Sequence, residues 1–493
     1  MLTRLEVKGF KNLLDVDLHF GPFTCIAGPN GVGKSNLFDA ILFLQALADK
    51  PFLEAALGVR GGQEARHLFT THGNGEMELA AEMLIPAKGV DTFGQPAEAS
   101  STFVRYSIRL RLRQGKSALV GDEIELLHEE LTYITKGEAA GRLPFRHKLD
   151  WRSSVLHADR RAPYITTDRG VIRLHQDRRR EEGKKKRGGA TWEFPLASLP
   201  RTVLSSAQNA KEAPTAVLVR REMLSWRLLQ LEPSALRQPD DFQAPSRIAP
   251  NGAHLPAALY RLSHAAPEKD EAPEAHEARI YVTAANRLAE LVAGVGGLTV
   301  ERDDKRKLLT LVHRDLQGVE LPATSLSDGT LRFLALTILE ADPEETGVIC
   351  LEEPENGIHP ERVAAMVRLL SDIAVDPEHP NGPDNPLRQV FINTHSPAVV
   401  ALVEDESLLF SDAHAWRAGT GEVRALAFWR LAGTRPADTA LREIQRGTIL
   451  SYLQRGVGEV PAEEDAPKST RRRVIDRFRG QLRLPFEDRG DVH

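Results

Sequence analysis

Residues 28–35 read Gly28-Pro29-Asn30-Gly31-Val32-Gly33-Lys34-Ser35, a complete G-x-x-x-x-G-K-S phosphate-binding loop. Its surroundings are those the pattern requires. Residues 23–27 form a short apolar run with strand character, and residues 34–48 carry a helix pattern without a breaker. The helix is apolar nearly all round (Leu37, Phe38, Ile41, Leu42, Leu44, Leu47), as expected of one buried against a sheet. Glycines at 28, 31 and 33 let backbone N–H groups approach a polyphosphate. The helix N-terminus adds partial positive charge at the same place. Lys34 is expected to reach the β- and γ-phosphates of a nucleotide, and the Ser35 hydroxyl to ligate Mg²⁺. Asn30, Val32 and Asn36 complete the expected nucleotide-contacting segment. A ligand-free glycine turn would have no use for Lys-Ser at the helix start.

A second cluster lies far downstream: Leu326-Ser327-Asp328-Gly329-Thr330, then Val348-Ile349-Cys350-Leu351-Glu352-Glu353-Pro354-Glu355-Asn356-Gly357, then Phe391-Ile392-Asn393-Thr394-His395-Ser396. Residues 348–351 are an apolar run, so two carboxylates emerge at the C-terminal end of a buried strand. Glu352 is suited to hold Mg²⁺, through water. Glu353 is suited to orient or deprotonate an attacking water, a role worth roughly 10²–10⁴-fold in rate. Pro354 and Asn356-Gly357 then turn the chain sharply. A further strand, 389–393, delivers His395 to the same edge, where it can donate a hydrogen bond to a phosphate or the water. Residues 331–340 read as a helix after a small-residue turn, so its N-terminus presents free N–H groups to a phosphate. Ser-Asp-Gly is at the same time an ordinary N-cap.

The order P-loop, Leu-Ser-x-Gly, acidic strand end and strand-end His resembles ABC-type ATPase heads, and among them the RecF/SMC/OLD group of bacterial ATPases. Leu5-Glu-Val-Lys-Gly-Phe-Lys-Asn12, running into the P-loop, is similar to that group's opening. Glu352-Glu-Pro-Glu-Asn-Gly-Ile-His-Pro360 resembles OLD-like and related stand-alone ATPases of phage-defence systems, and Asn251-Gly-Ala-His-Leu-Pro-Ala257 is similar to a segment of the same proteins. The resemblance covers residues 1–150 and 240–410. It implies an α/β ABC-type P-loop ATPase head: a mixed sheet with helices, an antiparallel β subdomain and a mostly helical insertion. ATP and Mg²⁺ are the implied cofactors. Two copies would sandwich two ATP molecules, each P-loop facing Ser327 and Gly329 of the other copy, in a homodimer or a higher oligomer. Glu353 and His395 would be catalytic, with Ser35 and Glu352 on the metal. Three departures point away from membrane transport: Glu352 replaces the usual Asp, Asp328 stands where transporters carry Gly, and His359 where they carry Asp.

With 493 residues the chain can hold two or three domains. An apolar share of 41% and a charged share of 27% are ordinary for a soluble globular protein. Its two cysteines, Cys25 and Cys350, fall in expected buried strands and form neither a disulfide framework nor a zinc pattern. No signal peptide is evident and no apolar run approaches the ~18–20 residues of a membrane span. The expectation is a cytoplasmic protein with no membrane partner. The sequence predicts four parts: an N-terminal lobe (1–195), a helical insertion (196–295), a C-terminal lobe (296–425) and a helix with a flexible tail (426–493). Strands are expected at 2–10, 13–20, 77–85, 102–113, 123–135, 297–302 and 307–313. Helices are expected at 212–230, 254–264, 274–293 and 437–455.

One local feature stands apart. Arg178, Arg179, Arg180, Lys184, Lys185, Lys186 and Arg187 crowd the tip of an expected hairpin. Such a run is either a solvated loop or a contact to the backbone of DNA or RNA. The net charge of −5 restricts any nucleic-acid contact to a local patch. OLD-type relatives carry a nuclease domain after the ATPase head. Residues 396–493 contain no Asp-x-Asp pair after an apolar strand, so the expected effector, a nuclease, is a separate polypeptide. A RecF-like DNA-repair ATPase, which needs no effector, is the other reading.

Overall fold

Three short apolar strands, Phe23–Ala27, Gly347–Glu352 and Arg388–Thr394, lie side by side and parallel, with Arg388–Thr394 in the middle. A computed structural model describes residues 1–454, except 63, 71–74, 114–121, 160–161, 178–189, 268–270, 291–293, 419–420 and 435–440. The basic segment 178–187 and the basic end Arg471-Arg472-Arg473 lie outside the described residues. The chain divides into two compact units. Among the described residues, one comprises Met1–Leu228, Thr346–Pro354 and the stretch from Leu387 onward; the other comprises Leu229–Glu345 and Glu355–Pro386.

In the first unit the parallel trio is the heart of a mixed seven-stranded sheet. Leu408–Ala418 joins Phe23–Ala27 in parallel, Gly421–Leu431 returns antiparallel, and Arg442–Ile444 closes that side. Arg227–Leu229 lies at the opposite edge. The central strands are buried on both faces and read as continuous apolar runs, as doubly covered parallel strands do. Their register aligns the strand ends: Glu352 lies opposite Asn393, Asn393 opposite Ile26, and Thr394 opposite Ala27. The P-loop, the two carboxylates and His395 therefore leave the sheet at one edge, at the carboxyl ends of the strands, where open α/β sheets bind ligands.

The same unit holds an eight-stranded antiparallel sheet, ordered Thr191–Pro195, Val171–His175, Ile165–Asp168, Glu123–Tyr133, Phe103–Arg113, Glu76–Leu84, Leu2–Phe10, Leu13–His19. Alternation over 102–135 predicts this pairing, and Val104 does face Tyr133, with one register shift between Arg109 and Leu110. The P-loop helix, Ser35–Leu47, buries Leu37, Phe38, Ile41, Phe43 and Leu44. They share one apolar core with Leu5 and Val7 of the antiparallel sheet and Ile26, Cys350 and Phe391 of the mixed sheet. That is why the helix is apolar nearly all round.

The second unit pairs Val295–Asp303 with Leu308–Asp315, flanked by Asp240–Asp241 and Glu320–Pro322. Helices Leu255–Ser263, Pro273–Ala289, Asp328–Ala341 and Val363–Ile373 accompany them. Arg287 ties three of these helices together, donating to Glu340 at 3.1 Å and to Asp372 at 2.8 Å.

Two expectations need correction. The helix expected over 212–230 ends at Leu224, because Arg227–Leu229 pairs into the mixed sheet instead. The helix expected over 437–455 is, in its described part, a strand (Arg442–Ile444) followed by a helix (Arg446–Gln454). In both cases sheet pairing overrides a local helical pattern. Among the described residues no helix is long and apolar enough to cross a membrane.

Candidate functional site at the parallel-sheet edge

The P-loop leaves Phe23–Ala27 and winds into Ser35–Leu47. Gly31 and Gly33 adopt φ of +77° and +100°, a left-handed conformation that favours glycine. Gly28 is required by close approach: a Cβ there would lie 2.2 Å from the Ser411 carbonyl oxygen. Lys34 is buried, and its Nζ donates to the Gly28 and Pro29 carbonyls at 2.8 and 2.7 Å. The ammonium therefore already sits over its own loop, where a polyphosphate would be cradled. Asn12 braces the loop from the first strand pair. Its Nδ2 donates to the Val32 carbonyl at 2.9 Å, and its Oδ1 accepts from Asn36 Nδ2 at 2.7 Å.

Glu352 and Ser35 converge, with Asn393 between them: Asn393 Nδ2 lies 3.4 Å from Ser35 Oγ and 3.5 Å from Glu352 Oε1. Burial pushes the Glu352 carboxyl up, but the Arg60 guanidinium, Ser35 and Asn393 outweigh it and hold it below the ordinary range. An ionised carboxylate beside a hydroxyl is a hard-oxygen set that fits Mg²⁺. Among the described residues no group of three or more His, Cys, Asp or Glu forms a metal cage. Mg²⁺ seldom uses such a cage, since it usually keeps waters and substrate phosphates as its other ligands.

Glu353 has φ +45°, a left-handed backbone that is strained for a residue with a side chain. Its N–H donates to the Asn393 carbonyl at 3.0 Å, which anchors the turn. The turn brings Glu353 Oε1 within 2.7 Å of His395 Nδ1. The two expected catalytic side chains thus form a hydrogen-bonded pair, half-exposed at the strand edge.

In the second unit Ser327 is the N-cap of Asp328–Ala341, its Oγ accepting from Thr330 N. The helix begins three residues earlier than the pattern over 331–340 predicts, so Gly329 lies in its first turn. A Cβ at Gly329 would come 2.9 Å from the Gly357 carbonyl, so the two turns pack backbone to backbone. Ser327, Gly329, Thr330, Gly357, Ile358, His359 and Arg362 line a cavity of about 140 Å³. His254 of the 251–257 segment is left-handed, and its Nδ1 pairs with Asp240 Oδ1 at 2.8 Å, so that stretch serves the fold.

Cys25 and Cys350 are buried thiols, and burial pushes the Cys350 thiol up. Sequence reasoning gave no role to Asn12, Asp39, Arg60 or Asn393. Asn393 and Asp39 carried a signal, each a polar residue within an apolar run. Arg60 carried none.

Comparisons with known proteins bear on the family of the chain. A family model described as "AAA domain, putative AbiEii toxin, Type IV TA system" matches residues 140–401, more than half of the chain. A second, "RecF/RecN/SMC N terminal domain", matches residues 1–55. The chain belongs to the first of these families and is an ABC-type ATPase of the RecF/SMC/OLD group. The OLD nuclease of Thermus scotoductus is 56% identical over 41 residues, 8% of each chain. The DNA replication and repair protein RecF of Corynebacterium jeikeium is 32% identical over 89 residues, 18% of this chain and 21% of that protein. RecF of Magnetococcus marinus is 43% identical over 68 residues, 14% and 18% of the two chains. The matched stretches thus span about a fifth or less of these relatives. Among solved structures, an SMC head bound to the C-winged helix domain of ScpA overlaps 87% of this chain and 98% of that one, at 14% identity and a TM-score of 0.44. At that score the likeness is distant.

Proposed function

We propose that the chain binds and hydrolyses ATP between two copies of itself, as the nucleotide-gated subunit of a bacterial anti-phage system whose effector, a nuclease, is a separate polypeptide. The observation that carries the ATPase reading is the convergence of Lys34, Ser35, Glu352, Glu353 and His395 at one sheet edge, enforced by the register of three parallel strands. Lys34 would exchange its two loop carbonyls for the β- and γ-phosphates. Ser35 and Glu352 would hold Mg²⁺, which neutralises phosphate charge when bound. Glu353, already paired with His395, would take up or orient the attacking water's proton, with the imidazole completing the relay. The signature turn of the second copy would close over the γ-phosphate with the N-terminus of Asp328–Ala341.

The defence role rests on the family model's description, on the OLD nuclease match and on the resemblance of residues 352–360. The RecF matches favour a second reading, a DNA-repair ATPase that needs no effector. Segment 178–187 would serve either reading as a DNA, RNA or protein contact. Co-purification of the native operon separates them. A stoichiometric nuclease partner supports the defence role; its absence, with ATP-dependent retention on duplex DNA, supports repair.

A further inference from the structure

Among the described residues, Arg60 is a cation in contact with Glu352. Its Nη1 donates to Glu352 Oε2 at 3.0 Å and its Nη2 to Oε1 at 2.9 Å, so both carboxylate oxygens are engaged by one planar fork. Nη2 also reaches Asp39 Oδ1 at 3.1 Å. Asp39 is itself buried in the P-loop helix and held by Lys11 Nζ at 2.7 Å. The same Lys11 Nζ donates to the Arg60 carbonyl at 2.6 Å. The loop is built to hold this position: Gly61 is left-handed at φ +77°, and a Cβ at Gly62 would fall 2.1 Å from the Ala56 carbonyl. The result is an unbroken chain of charges, Lys11–Asp39–Arg60–Glu352, ending on a carboxylate expected to hold the metal.

We propose that Arg60 is a positioning residue that competes with the divalent cation for Glu352, an inference that rests on the nucleotide reading above. A guanidinium and a divalent cation sharing one carboxylate would stand a few ångströms apart, and like charges at that distance repel strongly in a half-buried site. With the carboxylate turned to a metal, the Arg60 fork would give up its hold on Glu352. Asp39 remains as its second partner, so Arg60 swings within the site rather than leaving it. Because the fork belongs to the backbone turn at 59–62, metal–nucleotide loading is coupled to that turn, and the coupling is reciprocal.

The test measures affinity for a non-hydrolysable ATP analogue as a function of Mg²⁺, alongside bound Mn²⁺ followed by electron paramagnetic resonance. Arg60→Gln should lower the Mg²⁺ concentration that gives half-maximal nucleotide binding by about tenfold. It should leave nucleotide affinity in excess EDTA unchanged. Arg60→Lys, a point charge without the fork, should shift the requirement by a smaller factor in the same direction, and it answers the question if the Gln variant folds poorly. An unchanged or increased Mg²⁺ requirement in a folded variant overturns the proposal. So does a loss of affinity in EDTA, which would make Arg60 a phosphate contact instead. Wild-type protein that binds no analogue with or without Mg²⁺ breaks the nucleotide reading itself, a separate outcome.

Discussion

The sheet edge of the first unit and the signature cavity of the second carry different chemistry. At the edge the titratable groups are already engaged: Lys34 with loop carbonyls, Glu352 with Arg60, Glu353 with His395. The cavity lining offers a capped helix N-terminus, two glycines, the exposed His359 and the half-exposed Arg362, with no carboxylate. On the proposed reading, the first region would bind and cleave a triphosphate and the second would supply donors to cover one. The difference teaches that the first region holds its charges in pairs that a ligand would have to displace, whereas the second presents a capped helix N-terminus and small residues.

The sharpest way to break the comparison is at Lys34. Lys34→Ala removes the point cation of the loop, and ATP binding should be abolished in an equilibrium titration. Wild-type affinity would show that the edge does not hold the phosphates. Glu353→Gln keeps the side chain's size and its reach to His395 but removes the base. It should bind ATP and hydrolyse it at least ~10²-fold more slowly, accumulating a closed dimer visible by sedimentation. Turnover near the wild-type rate would move the catalytic role elsewhere.

A smaller effect separates edge carboxylates from structural ones in the same unit. Glu129 is fully buried, and burial pushes it up to about 7 against the Leu204 and Val203 N–H groups and the Tyr106 hydroxyl, which favour its ionised form. As pH rises the unfolded chain gives up this proton first, near 4.5, while the folded chain keeps it until about 7. The contribution is fully present below about 4.5, declines as pH climbs to about 7, and is level above, a loss on the order of 3 kcal/mol. Glu129→Gln should flatten that slope in chemical denaturation across the same window and leave the Mg²⁺ requirement for nucleotide unchanged. An unaltered slope would relieve Glu129 of this role.

Much of the mixed sheet and its edge was legible in the sequence because the signals were local. A P-loop needs glycines at fixed positions, and a buried parallel strand ending in acids announces its own edge. The antiparallel pairing of 102–113 with 123–135 followed from alternation, though its register, with Val104 facing Tyr133, did not. What stayed hidden depended on partners distant in the chain. Strand Arg227–Leu229 exists because Gly347–Glu352 offers an edge to it; there Gly347 adopts φ +81° close against Ser225. The hairpin of Leu408–Ala418 and Gly421–Leu431 was likewise not anticipated. Arg60 sits in a turn, and its meeting with Glu352, far along the chain, leaves no periodicity to read. The left-handed turn at Glu353 had no signal either, since a glutamate rarely accepts that conformation.

The central claim, that each ATP is held by the P-loop of one copy and the signature turn of another, is tested most directly by mixing two inactive variants. Lys34→Ala lacks a working P-loop but keeps the signature. Ser327→Arg puts a bulky cation in the signature turn but keeps the P-loop, so the lone chain should still bind ATP. Each should be inactive in steady-state ATP hydrolysis. Their mixture should regain activity from at most one composite site per dimer. A mixture as inactive as its components, or a Ser327→Arg protein that hydrolyses ATP normally by itself, would contradict the shared site.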